Sequence, residues 1–145
     1  MIPQRVSLVT IGAWNLPELR SFYLRLGWTE TEWSNDEYCV FLTAGGMLSI
    51  WPIEEMMKGI DLPKPAGPQY FRGVTLSINT DYAEQVDKVI ELARQAGAVI
   101  VHEPNNAFWG GRTGGFLDPE NNYWEVAFNP KSEFDERGAM IAMNG

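Results

Sequence analysis

The sequence predicts a mixed α+β fold built from two tandem βαβββ modules, and three observations predict it. The order strand, capped helix, short extended segments occurs twice. Landmarks recur at a near-constant offset, with Val74 68 residues after Val6 and Gly97 70 residues after Gly27. A proline-bearing stretch separates the two halves. An ordinary ferredoxin-like α+β domain whose halves agree by chance is the competing reading. With 145 residues, 45% of them hydrophobic and 21% charged, the chain has the size of one domain and enough apolar content for a core without disulfide staples.

The elements follow in order. Val6 to Ile11 is a β-rich run, and Asn15-Leu16-Pro17-Glu18 opens a helix with a capping-box pattern. Leu19, Phe22, Tyr23 and Leu26 give that helix one apolar face, and Gly27 ends it. Trp28 to Pro52 reads as three short extended segments, divided by Ser34-Asn35-Asp36 and Ala44-Gly45-Gly46. Module one is thus residues 1–53. A linker over 54–70 carries Pro63, Pro65 and Pro68, with room for a short helical turn before them. Module two, 71–130, restarts with Val74 to Ile78 and a second capping box at Asp81-Tyr82-Ala83-Glu84. Val86, Val89, Ile90 and Ala93 stripe the following helix, which ends at Ala96-Gly97-Ala98. Val99–Val101, Gly114–Leu117 and Tyr123–Phe128 are extended, the last two joined by the hairpin turn Asp118-Pro119-Glu120-Asn121-Asn122. Residues 131–145 form a C-terminal tail expected to lie along the outside or across a dimer partner.

Charge narrows the partners. Nineteen acidic against eleven basic residues give a net charge of −8, which repels phosphate backbones and anionic lipid heads. Nucleic acid and membrane surfaces are not expected partners, whereas a cationic or neutral small molecule is. Cys39 stands alone within Tyr38-Cys39-Val40-Phe41-Leu42, as a buried structural thiol would. No apolar run reaches the ~20 residues of a membrane span, and the opening residues lack a secretory apolar region, so a cytoplasmic location is expected.

The stretch Trp109-Gly110-Gly111-Arg112-Thr113-Gly114, followed by Asp118-Pro119-Glu120-Asn121-Asn122-Tyr123-Trp124-Glu125-Val126, resembles the vicinal oxygen chelate superfamily. That superfamily includes glyoxalases, bleomycin resistance proteins, extradiol dioxygenases and fosfomycin resistance enzymes. Asn15-Leu16, Phe22-Tyr23 and Leu26-Gly27-Trp28 resemble its first-half pattern, with Asn15 where Asp is usual. The resemblance implies that the two modules form an open, eight-stranded, barrel-like cup with helices outside, and it implies a homodimer. Metal-dependent members hold their ion with His or Gln on the first strand and Glu on the last strand of each module. Carried over, those positions fall on Ser7, Ser49, Gly73 and Glu125. Only Glu125 is a suitable ligand, so no metal and no other cofactor is expected.

Strand alternation places Ser7, Val9, Ser49, Trp51, Gly73, Thr75, Ser77, Tyr123 and Glu125 on one face, and Val6, Leu8, Val74, Leu76, Ile78, Trp124 and Val126 on the face under the helices. The first set, mixing hydroxyls, aromatics and one carboxylate, suits a ligand surface. Candidate ligand contacts are therefore Ser7, Ser49, Trp51, Gly73, Thr75, Trp109, Arg112 and Tyr123, with Arg112 able to grip an anion. Trp33 is read as core or interface, and His102 as a surface or turn residue. Three functions remain open: a bleomycin-resistance-like protein binding a cationic or aromatic small molecule without chemistry, a glyoxalase-like lyase or isomerase with Glu125 as catalytic base, with or without a divalent metal, and a ligandless regulatory or interaction module whose cup is filled by its own side chains.

Overall fold

The computed structural model describes residues 2–68 and 71–143, so Gln69 and Tyr70 of the expected linker lie outside the described residues. The chain forms two compact units, Met1–Ala66 and Gly67–Gly145. The second follows the βαβββ order, and the first a βαββ order closed by a short helix.

In the first unit, β1 (Leu8–Ala13) precedes α1 (Leu16–Arg25), then β2 (Cys39–Thr43), β3 (Gly46–Pro52) and the short α2 (Ile53–Met57). The Asn15 side chain accepts the Glu18 N–H at 3.2 Å, so the helix starts where the sequence places its cap. Strand order is β1-β3-β2, with β1 and β3 parallel. Val9, Ile11, Leu48, Ile50, Cys39 and Phe41 share the face towards α1, whose Leu19, Phe22 and Tyr23 are fully buried. The Tyr23 ring meets Phe22, Trp28 and Phe41 at 5.0, 5.6 and 5.8 Å between centroids.

Two expectations for this unit are corrected. Only two regular strands occur between α1 and α2 among the described residues; the expected segment near Trp28 is reduced to a single bridge, Glu30 to Phe41. The Ser34 hydroxyl accepts the Val40 N–H at 2.9 Å and so takes a donor that a continuing strand would have paired with backbone. The phase of β1 also differs by one residue. Ser7 precedes the strand, and Val9 faces the helix, while Leu8, Thr10 and Gly12 register with Met47, Ser49 and Trp51 on the other face.

The second unit contains β4 (Thr75–Asn79), α3 (Ala83–Ala96), β5 (Val99–Asn106), β6 (Arg112–Leu117) and β7 (Tyr123–Phe128), in sheet order β4-β7-β6-β5 with β4 and β7 parallel. Val86, Ile90 and Ala93 of α3 are buried over Phe116, Trp124 and Val126, and the Phe116 and Trp124 rings stack at 6.2 Å. Gly97, at φ 109°, closes α3 in the left-handed conformation that glycine adopts without strain. The second capping box is not formed. The helix begins at Ala83, Tyr82 takes the cap position without a side-chain bond, and Gln85 reaches back to the Asp81 N–H at 2.9 Å. Residues of the expected tail pair as a hairpin, β8 (Ser132–Phe134) with β9 (Met140–Met143).

The Asp118–Asn122 turn is held from inside. Asp118 is buried, and one of its carboxylate oxygens accepts the N–H groups of Glu120 and Asn122, both at 2.9 Å. The other accepts the Asn122 amide at 2.8 Å. Arg72 donates to the Asn122 carbonyl oxygen at 2.7 Å, and Asn121, at φ 64°, donates to the Pro68 carbonyl at 2.9 Å. The turn thereby anchors the chain that leads into β4.

Candidate functional site

In each unit the sheet has one face under a helix and one away from it, and the polar residues of interest lie on the second. In the second unit this face carries Thr75 and Ser77 from β4, Tyr123 and Glu125 from β7, and Leu117, Gly115 and Thr113 from β6. The register shift in β5 between Ile100 and His102 turns both Val101 and His102 towards it. A concave pocket of about 460 Å³ opens here, lined by Phe71, Thr75, Val101, Leu117, Asn121 and Tyr123. The Phe71 and Tyr123 rings stand edge to face at 6.5 Å. Its walls are thus aromatic and aliphatic, with a hydroxyl and an amide as polar contacts, a composition typical of small-molecule sites.

Glu125 lies next to Tyr123 along this face, opposite Ser77 on one side and Gly115 on the other. It is half-buried and makes no hydrogen bond or ion pair with another described residue. Burial, and secondarily the Glu125 charge, raise the Tyr123 phenol above its ordinary value. One strand beyond Gly115, His102 bonds to the Thr113 hydroxyl at 3.2 Å and to the Asn105 amide at 3.3 Å. The amide of Asn105 is a donor, so Nδ1 accepts and Nε2 carries the proton given to Thr113. His102 therefore sits mid-strand, partly exposed, with both nitrogens engaged; of the two expected placements, surface or turn, the turn is excluded.

The first unit treats the equivalent face differently. Ser49 is fully buried, and its hydroxyl meets that of Thr10 at 2.6 Å. Gly12 leaves room for α2, since a Cβ there would lie 2.5 Å from Ile53 Cδ1. Trp51 is 38% exposed and meets Tyr38 edge to face at 6.2 Å.

Of the residues singled out from sequence, Thr75, Tyr123 and Glu125 come together in the second unit, and Ser49 and Trp51 share a face in the first. Ser7 is exposed ahead of β1, and Gly73, at φ 76°, lies ahead of β4. Arg112 is not brought to the Glu125 face. It points to the helix side, where it grips both Asp87 oxygens at 2.7 and 2.8 Å and the Asn106 carbonyl oxygen at 3.0 Å. That guanidinium holds the Asp87 carboxyl below its usual range. Trp109 lies over Gly111 in the turn between β5 and β6, 44% exposed, and Trp33 is exposed rather than core. Phe71, Val101, Leu117 and Asn121 were missed as pocket residues. Only the bulge in β5 and the clamp on the Asp118 turn bring them together, and neither has a local sequence signal.

A sequence profile of the Glyoxalase/Bleomycin resistance protein/Dioxygenase superfamily matches residues 5–126. The chain belongs to this superfamily. Solved structures of the same fold include a glyoxalase-related enzyme from Fulvimarina pelagi, at 23% identity and TM-score 0.87, covering 98% of this chain and 100% of that one. A glyoxalase/bleomycin resistance protein/dioxygenase family enzyme from Burkholderia phytofirmans PsJN matches at 23% identity and TM-score 0.71, over 86% and 98% of the two chains. A lactoylglutathione lyase from Agrobacterium tumefaciens matches at 16% identity and TM-score 0.66, over 88% and 96%. No curated protein sequence matches significantly.

Metal-dependent members of the superfamily hold a divalent ion, which needs three or more N, O or S donors from the protein. In the first unit the paired positions on β1 and β3 offer two hydroxyls already bonded to each other. In the second, Glu125 faces only Ser77 and a glycine across the ladders. Among the described residues no group of three or more His, Cys, Asp or Glu is gathered closely enough to hold an ion. This donor set does not fit a divalent transition metal. No described helix is long and apolar enough to cross a membrane.

Proposed function

We propose that this superfamily member binds a small aromatic cation in the second-unit pocket, using its own side chains and no resident metal. The observation that supports this most is Glu125: a half-buried carboxylate with no cationic partner among the described residues, on the face that carries the pocket. A partly desolvated carboxylate left unpaired is costly, and a ligand ammonium would repay that cost. Phe71 and Tyr123 supply faces and edges for a planar ring, and the net charge of −8 favours the approach of a cation.

Calorimetric titration with tryptamine and with tryptophol, its neutral alcohol counterpart, tests the reading. The wild-type chain should bind the ammonium about tenfold more tightly than the alcohol, a difference of about 1.4 kcal/mol, and Glu125→Gln should erase the preference. Equal affinities in the wild-type chain would overturn it.

A second reading uses the same carboxylate as a general base, in a lyase or isomerase acting on a carbon next to a carbonyl. Its support is again that no cation among the described residues pairs with Glu125, which leaves the carboxylate available to accept a proton. It requires turnover that Glu125→Gln abolishes while the fold is kept.

A further inference from the structure

Two glycines sit side by side in β6, and neither adopts a positive φ. The backbone therefore does not demand them, and a glycine inside a strand weakens it. Space supplies the reason. A Cβ on Gly114 would lie 2.9 Å from Ile90 Cγ1, so that glycine lets α3 pack onto the sheet. Gly115 points the other way. A Cβ there would lie 2.6 Å from the Tyr123 hydroxyl and 3.1 Å from both Cε2 and Cζ. The phenol thus lies across the sheet over Gly115, in the row where Glu125 flanks this glycine on one strand and His102 on the other.

We propose that Gly115 is a specificity-determining residue of the pocket: by letting the Tyr123 ring lie flat on the sheet, it opens the clearance that admits a two-ring planar ammonium as well as a single-ring one. The inference rests on the reading that the second-unit pocket is the ligand site. Because two ring carbons crowd the missing Cβ as well as the hydroxyl oxygen, a methyl group there cannot be met by moving the hydroxyl alone. The whole ring must rise off the sheet, and the space above it is the pocket that Tyr123 lines. Phe71, edge to face with Tyr123, is the wall the lifted ring would approach.

The test compares wild type and Gly115→Ala in calorimetric titrations with tryptamine, which carries two fused rings, and 2-phenylethylamine, which carries one. The variant should lose about tenfold in affinity for tryptamine and less than about threefold for 2-phenylethylamine. In a Tyr123→Leu background, adding Gly115→Ala should change neither affinity, because the crowded ring is gone; this also covers the case in which Gly115→Ala alone folds poorly. In the ligand-free protein, the phenol lifted from the sheet and from Glu125 should titrate closer to an ordinary tyrosine, read by ultraviolet absorbance against a Tyr123→Phe control. Equal losses for both amines, no loss for either, or a persisting loss in the Tyr123→Leu background would overturn the role of Gly115 while leaving the pocket reading in place. Failure of the wild-type chain to bind either amine would overturn the pocket reading itself, and the specificity role with it.

Discussion

The two units repeat one plan and differ at one corner. In each, the last strand of the ladder runs parallel to the first, and a polar side chain projects from its middle on the face away from the helix. In the first unit that side chain is Ser49, buried and bonded to Thr10, and α2 packs over the neighbouring Gly12. In the second it is Glu125, half-buried, beside a pocket and opposite a glycine. One corner satisfies itself with two short hydroxyls; the other holds a carboxyl group that meets no cation among the described residues. The comparison teaches that a repeated scaffold can close one polar corner internally while its counterpart stays open; in the proposed function that open corner receives a ligand.

The largest effect belongs to the turn that holds the open corner in place. Asp118→Ala leaves three donors without their buried acceptor and should cost about 3 kcal/mol or more in chemical denaturation. If Arg72 and Asn121 alone sufficed to hold the turn, the loss would be small. The comparison itself is sharpened by stability measurements at the two corners. Ser49→Ala removes a buried hydrogen bond and should cost about 1 kcal/mol, whereas Glu125→Gln, which removes a carboxylate with no cationic partner among the described residues, should cost nothing or stabilise the ligand-free fold slightly. A reversal of that order would mean that the carboxylate, not the hydroxyl pair, is structural.

Smaller still are the alkaline titrations. Burial pushes the Cys39 thiol in the first unit up to about 11 from about 9, with Arg20 opposing, and raises the Tyr123 phenol in the second. For an acid whose folded value is raised, the stability contribution is complete below the unfolded value and is lost as pH rises through the folded one. Denaturation midpoints should therefore fall between about pH 9 and pH 11, and Cys39→Ala should make that fall shallower. An unchanged slope would show the thiol to be solvated. Glu125→Gln should bring the Tyr123 titration closer to an ordinary phenol, since one of the two causes of its shift is removed.

Much of this fold was legible because its signals are local. The Asn15 cap, the apolar stripes of α1 and α3, Gly97 and the Asp118 turn are each written within a few residues. The phase of β1 was not, because either alternation of Val6 to Ile11 carries two apolar residues and one hydroxyl residue, and the deciding contact, Thr10 with Ser49, spans 39 residues. The mid-strand setting of His102 and the helix side taken by Arg112 were missed for related reasons. The register shifts in β5 break strict alternation, and the partner that draws Arg112 to the helix side, Asp87, lies 25 residues away on α3. Glu125 was legible from the signature turn. That it meets no cation among the described residues depends on where the other charges go, which only the tertiary structure records.

The contrast between the corners is tested most directly by mapping amide chemical shifts in ¹⁵N-labelled protein as tryptamine is added. Shifts should concentrate at Thr75, Leu117, Tyr123 and Glu125 and need about tenfold more tryptamine to develop in Glu125→Gln, with Thr10 and Ser49 unmoved. Shifts centred on Thr10 and Ser49, with the second unit silent, would contradict the assignment of the open corner.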